Sequence, residues 1–171
     1  AMRALALDKL IVIPTKIPPH KTMSEVSPEM RFDMAHLIFS STPGVEASDL
    51  EIKRRGISYT KNTIRQLKKI YPNDKLFWII SLETLINMPK EWRDGYAVLD
   101  RCRFAVVTRK GYAPGDIPSK VLSKIIMIKD CRAPKISSTD LREYIKQRKN
   151  ISHWVGKKVY KYIKKHKLYE K

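Results

Sequence analysis

The sequence predicts an α/β fold in which a parallel sheet is covered by helices on both faces. Three observations carry this. Short β-branched runs alternate with segments of helical periodicity along all 171 residues, the pattern of strand–helix–strand crossovers. The clearest strand runs are apolar throughout, as strands buried on both faces are. There is no internal repeat and no low-complexity linker, so one domain over residues 1–171 is expected, with 137–171 forming a C-terminal helical part.

The first strand run is "KLIVIPT" (9–15), ended by Pro14. "KIPPHKTMSEVS" follows as a loop, because paired prolines sustain neither ladder nor helix. Ser27-Pro28 then opens a helix with Pro at its first position and Met30, Met34, Leu37 and Ile38 on one face. "VEASDLEI" (45–52) reads as a half-buried second strand, and after "KRRGI" Tyr59-Thr60 leads into a helix carrying Ile64, Leu67 and Tyr71. "KLFWII" (75–80) is the plainest strand. A short helix, "SLETLINMPKEW", is expected to break at Pro89, with another helix near 94–101. "RFAVVT" (103–108) and "KIIMIKD" (124–130) are the remaining strands, separated by the turn-rich "RKGYAPGDIPS", and two helices close the chain.

Composition narrows the function classes. No apolar run approaches the ~18 residues of a membrane span, and "AMRALALDKL" lacks the pattern of a signal peptide, so a soluble, cytoplasmic protein is expected. Cys102 and Cys131 have no metal spacing and read as buried free thiols, and the four histidines make no metal set. The 35 basic against 17 acidic side chains, a formal +18, favour an anionic partner. Much of that charge is lysine on "GKKVYKYIKKHKLYEK", where Val155, Val159 and Ile163 recur at four-residue spacing, so it also fits the solvated face of a packed helix.

In parallel sheets ligands bind beyond the carboxyl ends of the strands. That rule gathers the loops at 14–22, 53–62, 81–93, 109–112 and 134–142, which carry Lys21, Thr60, Trp92, Arg109 and Arg142. Such a set suits an anionic, aromatic ligand such as a nucleotide. In the last loop, "APKISSTDLREYI" puts Ser137, Ser138 and Thr139 at a helix start with Arg142 about one turn on. It is either a simple capped helix or an anion site, since free N–H groups and the positive dipole end point outward there.

"IPTKIPPHK", "EIKRRGISYTKNT", a strand leading to a helix that ends in Trp, "VTRKGY", "ISSTDLR" and "VYKYIKKHKLY" follow in one fixed order. In that order they resemble the bacterial nicotinate-nucleotide adenylyltransferases, nucleotidyltransferases with a Rossmann-like fold, and the resemblance spans essentially the whole chain. It implies transfer of an adenylyl group from ATP, with Mg²⁺, to nicotinate mononucleotide, giving deamido-NAD and pyrophosphate. By the same resemblance Ser137, Ser138, Thr139 and Arg142 hold ATP phosphates, together with Ser81, Glu83 and Arg109. Thr60 and Trp92 frame the nicotinate ring, and His20 and Lys21 lie near substrate phosphate. Arg142 and Lys21 are the expected catalytic cations, and no protein metal ligand is implied. Read without the resemblance, Thr60 equally caps a helix, Trp92 equally packs on the core, and Arg109 is either a phosphate contact or a solvated charge.

The sequence also departs from that pattern. The family's opening "GG-S/T-FDP-x-H-x-GH" strand and loop does not occur, and the chain starts in what corresponds to the following helix. The first strand of the sheet is therefore expected to be missing, either in nature or through a start placed at the wrong methionine. A sheet short of a central strand calls for a swapped strand, a homo-oligomer or a rearrangement to cover its edges. Ser81 and Glu83 stand where the family has glycine and aspartate, Asn62 where it has an acid, and "WVG" (154–156) where it has "LVP". These changes leave a catalytically inactive nucleotide-binding paralogue as the alternative. A basic nucleic-acid-binding protein ranks last, because the aromatics do not interleave with the lysines as base-stacking modules require.

Overall fold

In a computed structural model the chain is described over residues 1–19, 25–108, 115, 117–128 and 136–170. Its first half runs α1 (Met2–Leu5), β1 (Leu10–Val12), α2 (Pro28–Phe39), β2 (Val45–Ala47), α3 (Leu50–Lys53) and α4 (Thr60–Ile70). Next come β3 (Phe77–Ser81), α5 (Leu82–Glu91), a 3₁₀ helix (Gly95–Asp100) and β4 (Arg103–Val107). The remainder is α6 (Ser119–Leu122), β5 (Ile125–Ile128), α7 (Ser138–Lys146), α8 (Ser152–Val155) and α9 (Lys157–Lys165). No described helix is long and apolar enough to cross a membrane.

The chain divides into two compact units. One comprises Ala1–Leu7, Pro18–Lys21 and Ile57–Ala133. Its sheet has the order β3-β4-β5 with every pairing parallel: Trp78 faces Phe104 and Ile80 faces Val106, while Val106 also faces Met127. Central β4 carries Phe104, Ala105 and Val106, all fully buried, as a strand flanked by two neighbours and covered by helices must be. Ile64 of α4, Leu82, Leu85 and Met88 of α5, Val98 and Leu99 of the 3₁₀ helix and Val121 of α6 close the core around it. Each such side chain contributes about 1.5–3 kcal/mol by leaving water.

The other unit comprises Asp8–Ile17, Thr22–Gly56 and Pro134–Lys171. Here β1 and β2 pair in parallel, with Leu10 opposite Val45 and Val12 opposite Ala47, joined by the crossover helix α2. As expected, Pro28 opens α2 and the Ser27 side chain caps it, accepting from the Met30 N–H at 3.2 Å. Met30, Met34 and Leu37 pack against a second core of Val26, Ile145, Ile151, Val159, Ile163 and Leu168. Ile38, expected on the same face, is 42% exposed instead. A 100° step per residue carries position 38 past the edge of a stripe set by 30, 34 and 37.

All strand pairings are parallel, as the alternation predicts, but the described strands fall into two sheets rather than one. An apolar run signals burial without signalling which strand lies beside it. Three local expectations are corrected. The run 45–52 is a strand only through Ala47, and Leu50–Lys53 is helical; Glu51 is buried there with Arg54 at 3.8 Å, so its burial came from a helix turn. The helix after β3 does not break at Pro89 but runs through it to Glu91; Met88 before the proline and Trp92 after it both pack on the core. Between α7 and α9 lies an additional short helix, α8.

Candidate functional site

The "ISSTDLR" segment is a helix start, as its sequence predicts. Ser137 is the N-cap of α7 and forms a reciprocal box with Asp140: the Asp140 N–H donates to Ser137 Oγ at 3.1 Å, while the Ser137 N–H donates to Asp140 Oδ2 at 2.8 Å. The Ser137 hydroxyl also donates to Asp140 Oδ2 at 2.7 Å. These bonds, the backbone one first, hold the Asp140 carboxyl below its ordinary value. Ser138 and Thr139 occupy the first two helical positions, whose N–H groups have no intrahelical acceptor. Both are exposed, and Arg142 Nη2 donates to Thr139 Oγ1 at 3.2 Å. Two N–H groups, a hydroxyl and a guanidinium thus share one exposed helix end, while Ser137 is occupied by its own acid.

Thr60 is the first residue of α4. The N-cap is Tyr59, which makes no side-chain cap bond, so Thr60 does not cap its helix. Trp92 closes α5, its N–H donating to the Met88 carbonyl at 3.0 Å, and its half-buried side chain packs against the core. The structure brings these two segments together. The Arg93 guanidinium lies 5.4 Å from the centre of the Tyr59 ring, and Lys61 Nζ donates to Asp94 Oδ1 at 2.8 Å. Neither contact was legible in the sequence, since each joins residues more than thirty positions apart whose types are common on any surface.

Ser81 ends β3 and caps α5, its Oγ accepting from the Thr84 N–H at 3.1 Å and lying 2.9 Å from Thr84 Oγ1. Glu83 is exposed in the first turn of α5, where a carboxylate complements the helix dipole. His20, Lys21 and Arg109, like Cys131, lie outside the described residues. Cys102 is half-buried, and burial pushes its thiol up to about 11, so it is protonated at neutral pH and is no nucleophile. Among the described residues no three His, Cys, Asp or Glu side chains are grouped to hold a metal ion.

Comparison with known proteins identifies the family and the fold. Residues 1–144 match the family model described as cytidylyltransferase-like. A relative from Fusobacterium nucleatum, named "Probable nicotinate-nucleotide adenylyltransferase", is 36% identical over 96% of this chain and 86% of its own length. Proteins of the same name from Clostridium acetobutylicum and Thermus thermophilus are 32% and 31% identical, each over 99% of this chain and 88% and 87% of their own lengths. Among solved structures, Plasmodium falciparum nicotinic acid mononucleotide adenylyltransferase complexed with NaAD superimposes with a TM-score of 0.71 at 19% identity, covering 96% of this chain and 83% of that one. The same enzyme complexed with APC gives 0.71 at 17% identity. At those identities the superposition establishes the Rossmann-like nucleotidyltransferase fold, and the sequence matches establish descent. The chain is a member of the cytidylyltransferase-like family and stands within it among the nicotinate-nucleotide adenylyltransferases.

Proposed function

We propose that this chain transfers the adenylyl group of ATP to nicotinate mononucleotide, releasing pyrophosphate and forming deamido-NAD, in the cytoplasm, with both compact units serving one nucleotidyltransferase domain. The observation that carries the reading is near-full-length identity of 31–36% to adenylyltransferases. A phosphate oxygen of nicotinate mononucleotide attacks the α-phosphorus of ATP. The new P–O bond forms as the α–β bridge breaks, and the electron pair leaves on pyrophosphate. No covalent enzyme intermediate is needed, so the protein's work is alignment and neutralisation of growing negative charge.

The start of α7 suits that task. In this reading Ser138, Thr139 and Arg142 receive ATP phosphates, as a helix N-terminus with an adjacent guanidinium does, and Ser137 fixes the turn through Asp140. Thr60 and Trp92 receive the nicotinate end: amides for its carboxylate, an indole face for its ring. Ser81 and Glu83 are assigned to the adenosine side, and His20, Lys21 and Arg109 to phosphates. In this reading Mg²⁺ comes with ATP, held by its phosphates.

The test is pyrophosphate release by this chain from ATP, Mg²⁺ and nicotinate mononucleotide. Turnover that requires all three supports the reading. A second reading, nucleotide binding without turnover, rests on Ser81 and Glu83 standing where the family has glycine and aspartate. Saturable ATP binding with no pyrophosphate release would favour it.

A further inference from the structure

The outward face of α4 carries a feature that adenylyl transfer does not use. Lys61, Arg65, Lys68 and Lys69 of α4, with Arg101 from the end of the 3₁₀ helix, line an open groove of about 650 Å³. Lys61 is held by Asp94, and the groove's acid, Asp100, is engaged by Lys124. Among the described residues the other four cations have no carboxylate partner; Arg65 donates only to the Asn62 side chain, at 3.4 Å. All four are exposed. Cations in the last turn suit the negative end of a helix dipole, which accounts for Lys68 and Lys69. It does not account for Arg65 in the middle of α4, or for Arg101, which comes from another segment. Four unpaired like charges around one concavity repel one another, and the arrangement is relieved when a polyanion fills it.

We infer that this groove is a binding surface for the sugar-phosphate backbone of duplex nucleic acid. The lining fits that occupant and no other macromolecule as well. Among the described residues its one apolar lining side chain, Ile64, is 2% exposed, so a protein partner would find no desolvated anchor and a bilayer no side chain to take up. Among the described residues no aromatic side chain lines it, so these residues offer no platform for unstacked bases. It offers cations along an edge: the 11 residues of α4 span roughly 16 Å, a length over which a duplex presents about nine phosphate charges. Two of the four donors are arginines, whose planar forks match phosphate oxygens. Binding of this kind reads charge and groove shape, with little preference for sequence.

The test is fluorescence anisotropy of a labelled DNA duplex of about 20 base pairs with the full chain, across a salt series. The quadruple variant Arg65→Ala, Lys68→Ala, Lys69→Ala, Arg101→Ala is expected to lose affinity at least tenfold and to flatten the slope of log K against log salt by about 3.6. A control variant removes the same charge from the exposed face of α9: Lys157→Ala, Lys158→Ala, Lys161→Ala, Lys165→Ala. It is expected to keep most of the affinity. Equal losses in the two variants would overturn the inference, since binding would then follow net charge alone. So would absence of duplex binding by the unaltered chain, or capture by phosphatidylserine vesicles that the groove variant abolishes while duplex binding stays. Should the quadruple variant fail to fold, the single exposed changes Lys69→Glu and Arg101→Glu carry the same expectation.

Discussion

The Tyr162 hydroxyl donates to Asp33 Oδ2 at 2.7 Å, fastening α9 to α2 across 129 positions of sequence. Desolvation first, and then the neighbouring carboxylate that accepts its proton, push the phenol up to about 12. A phenol raised in the folded state stabilises that state fully below its unfolded value of about 10 and ceases to do so as pH rises through 12. Stability should therefore decline between pH 10 and 12 more steeply than in Tyr162→Phe. At neutral pH that variant should lose about 1 kcal/mol, read from urea midpoints.

Asp140 gives the complementary case at acid pH. Its carboxyl is lowered by the Ser137 amide and hydroxyl, so its contribution is present above the ordinary value of 3.8 and disappears as pH falls through the folded one. Ser137→Ala should return the Asp140 titration toward 3.8, followed by carbon-detected NMR of the carboxyl.

Gly156 separates α8 from α9 at φ 82°, ψ 152°, a conformation that only glycine adopts without strain. A Cβ there would meet no atom within 4 Å, so Gly156→Ala should cost about 1–3 kcal/mol from backbone strain alone. Gly156→Pro should cost more, because proline fixes φ near −65° and would also remove the N–H bond to the Ser152 carbonyl at 2.8 Å. Thermal unfolding of the two variants should rank them in that order. The glycine of "WVG" is thus required by the turn this chain makes, a reason the sequence alone did not disclose.

Under the proposed reaction, Arg142→Ala should lower kcat/KM about a hundredfold, as loss of a charge-stabilising donor does, with Arg142→Lys recovering part of it. Trp92→Ala should raise the KM for nicotinate mononucleotide about tenfold while leaving that for ATP near its original value. Steady-state kinetics with each substrate varied separately distinguishes the two effects.

Where chemistry was local, the sequence was a sufficient guide. Ser27-Pro28 opens α2, the serine run at 137–138 starts α7, and the apolar run around Phe104 is a buried strand, because each depends on residues within a few positions. Where the determining contact was distant, the reading stopped short. "DLEI" has residues suited to either state, and burial of Glu51 beside Arg54 accompanies the helical one. The division of strands between two sheets, and the Tyr59–Arg93 and Lys61–Asp94 contacts beside the proposed nicotinate position, are set by topology that no local pattern encodes. The groove on α4 was visible only as net charge until Arg101 was found beside Arg65 and Lys69.

Pro89 inside α5 has no amide proton, so the rung that would join position 89 to the Leu85 carbonyl is absent. The final turn is then tied to the rest of the helix by side-chain packing and by bonds such as that from Trp92 to Met88, rather than by an unbroken ladder. Opening of that turn disrupts few rungs elsewhere. Its amides should exchange with deuterium ahead of those near Leu85, and Trp92 sits on a short lever that can tilt while the core beneath it stays closed.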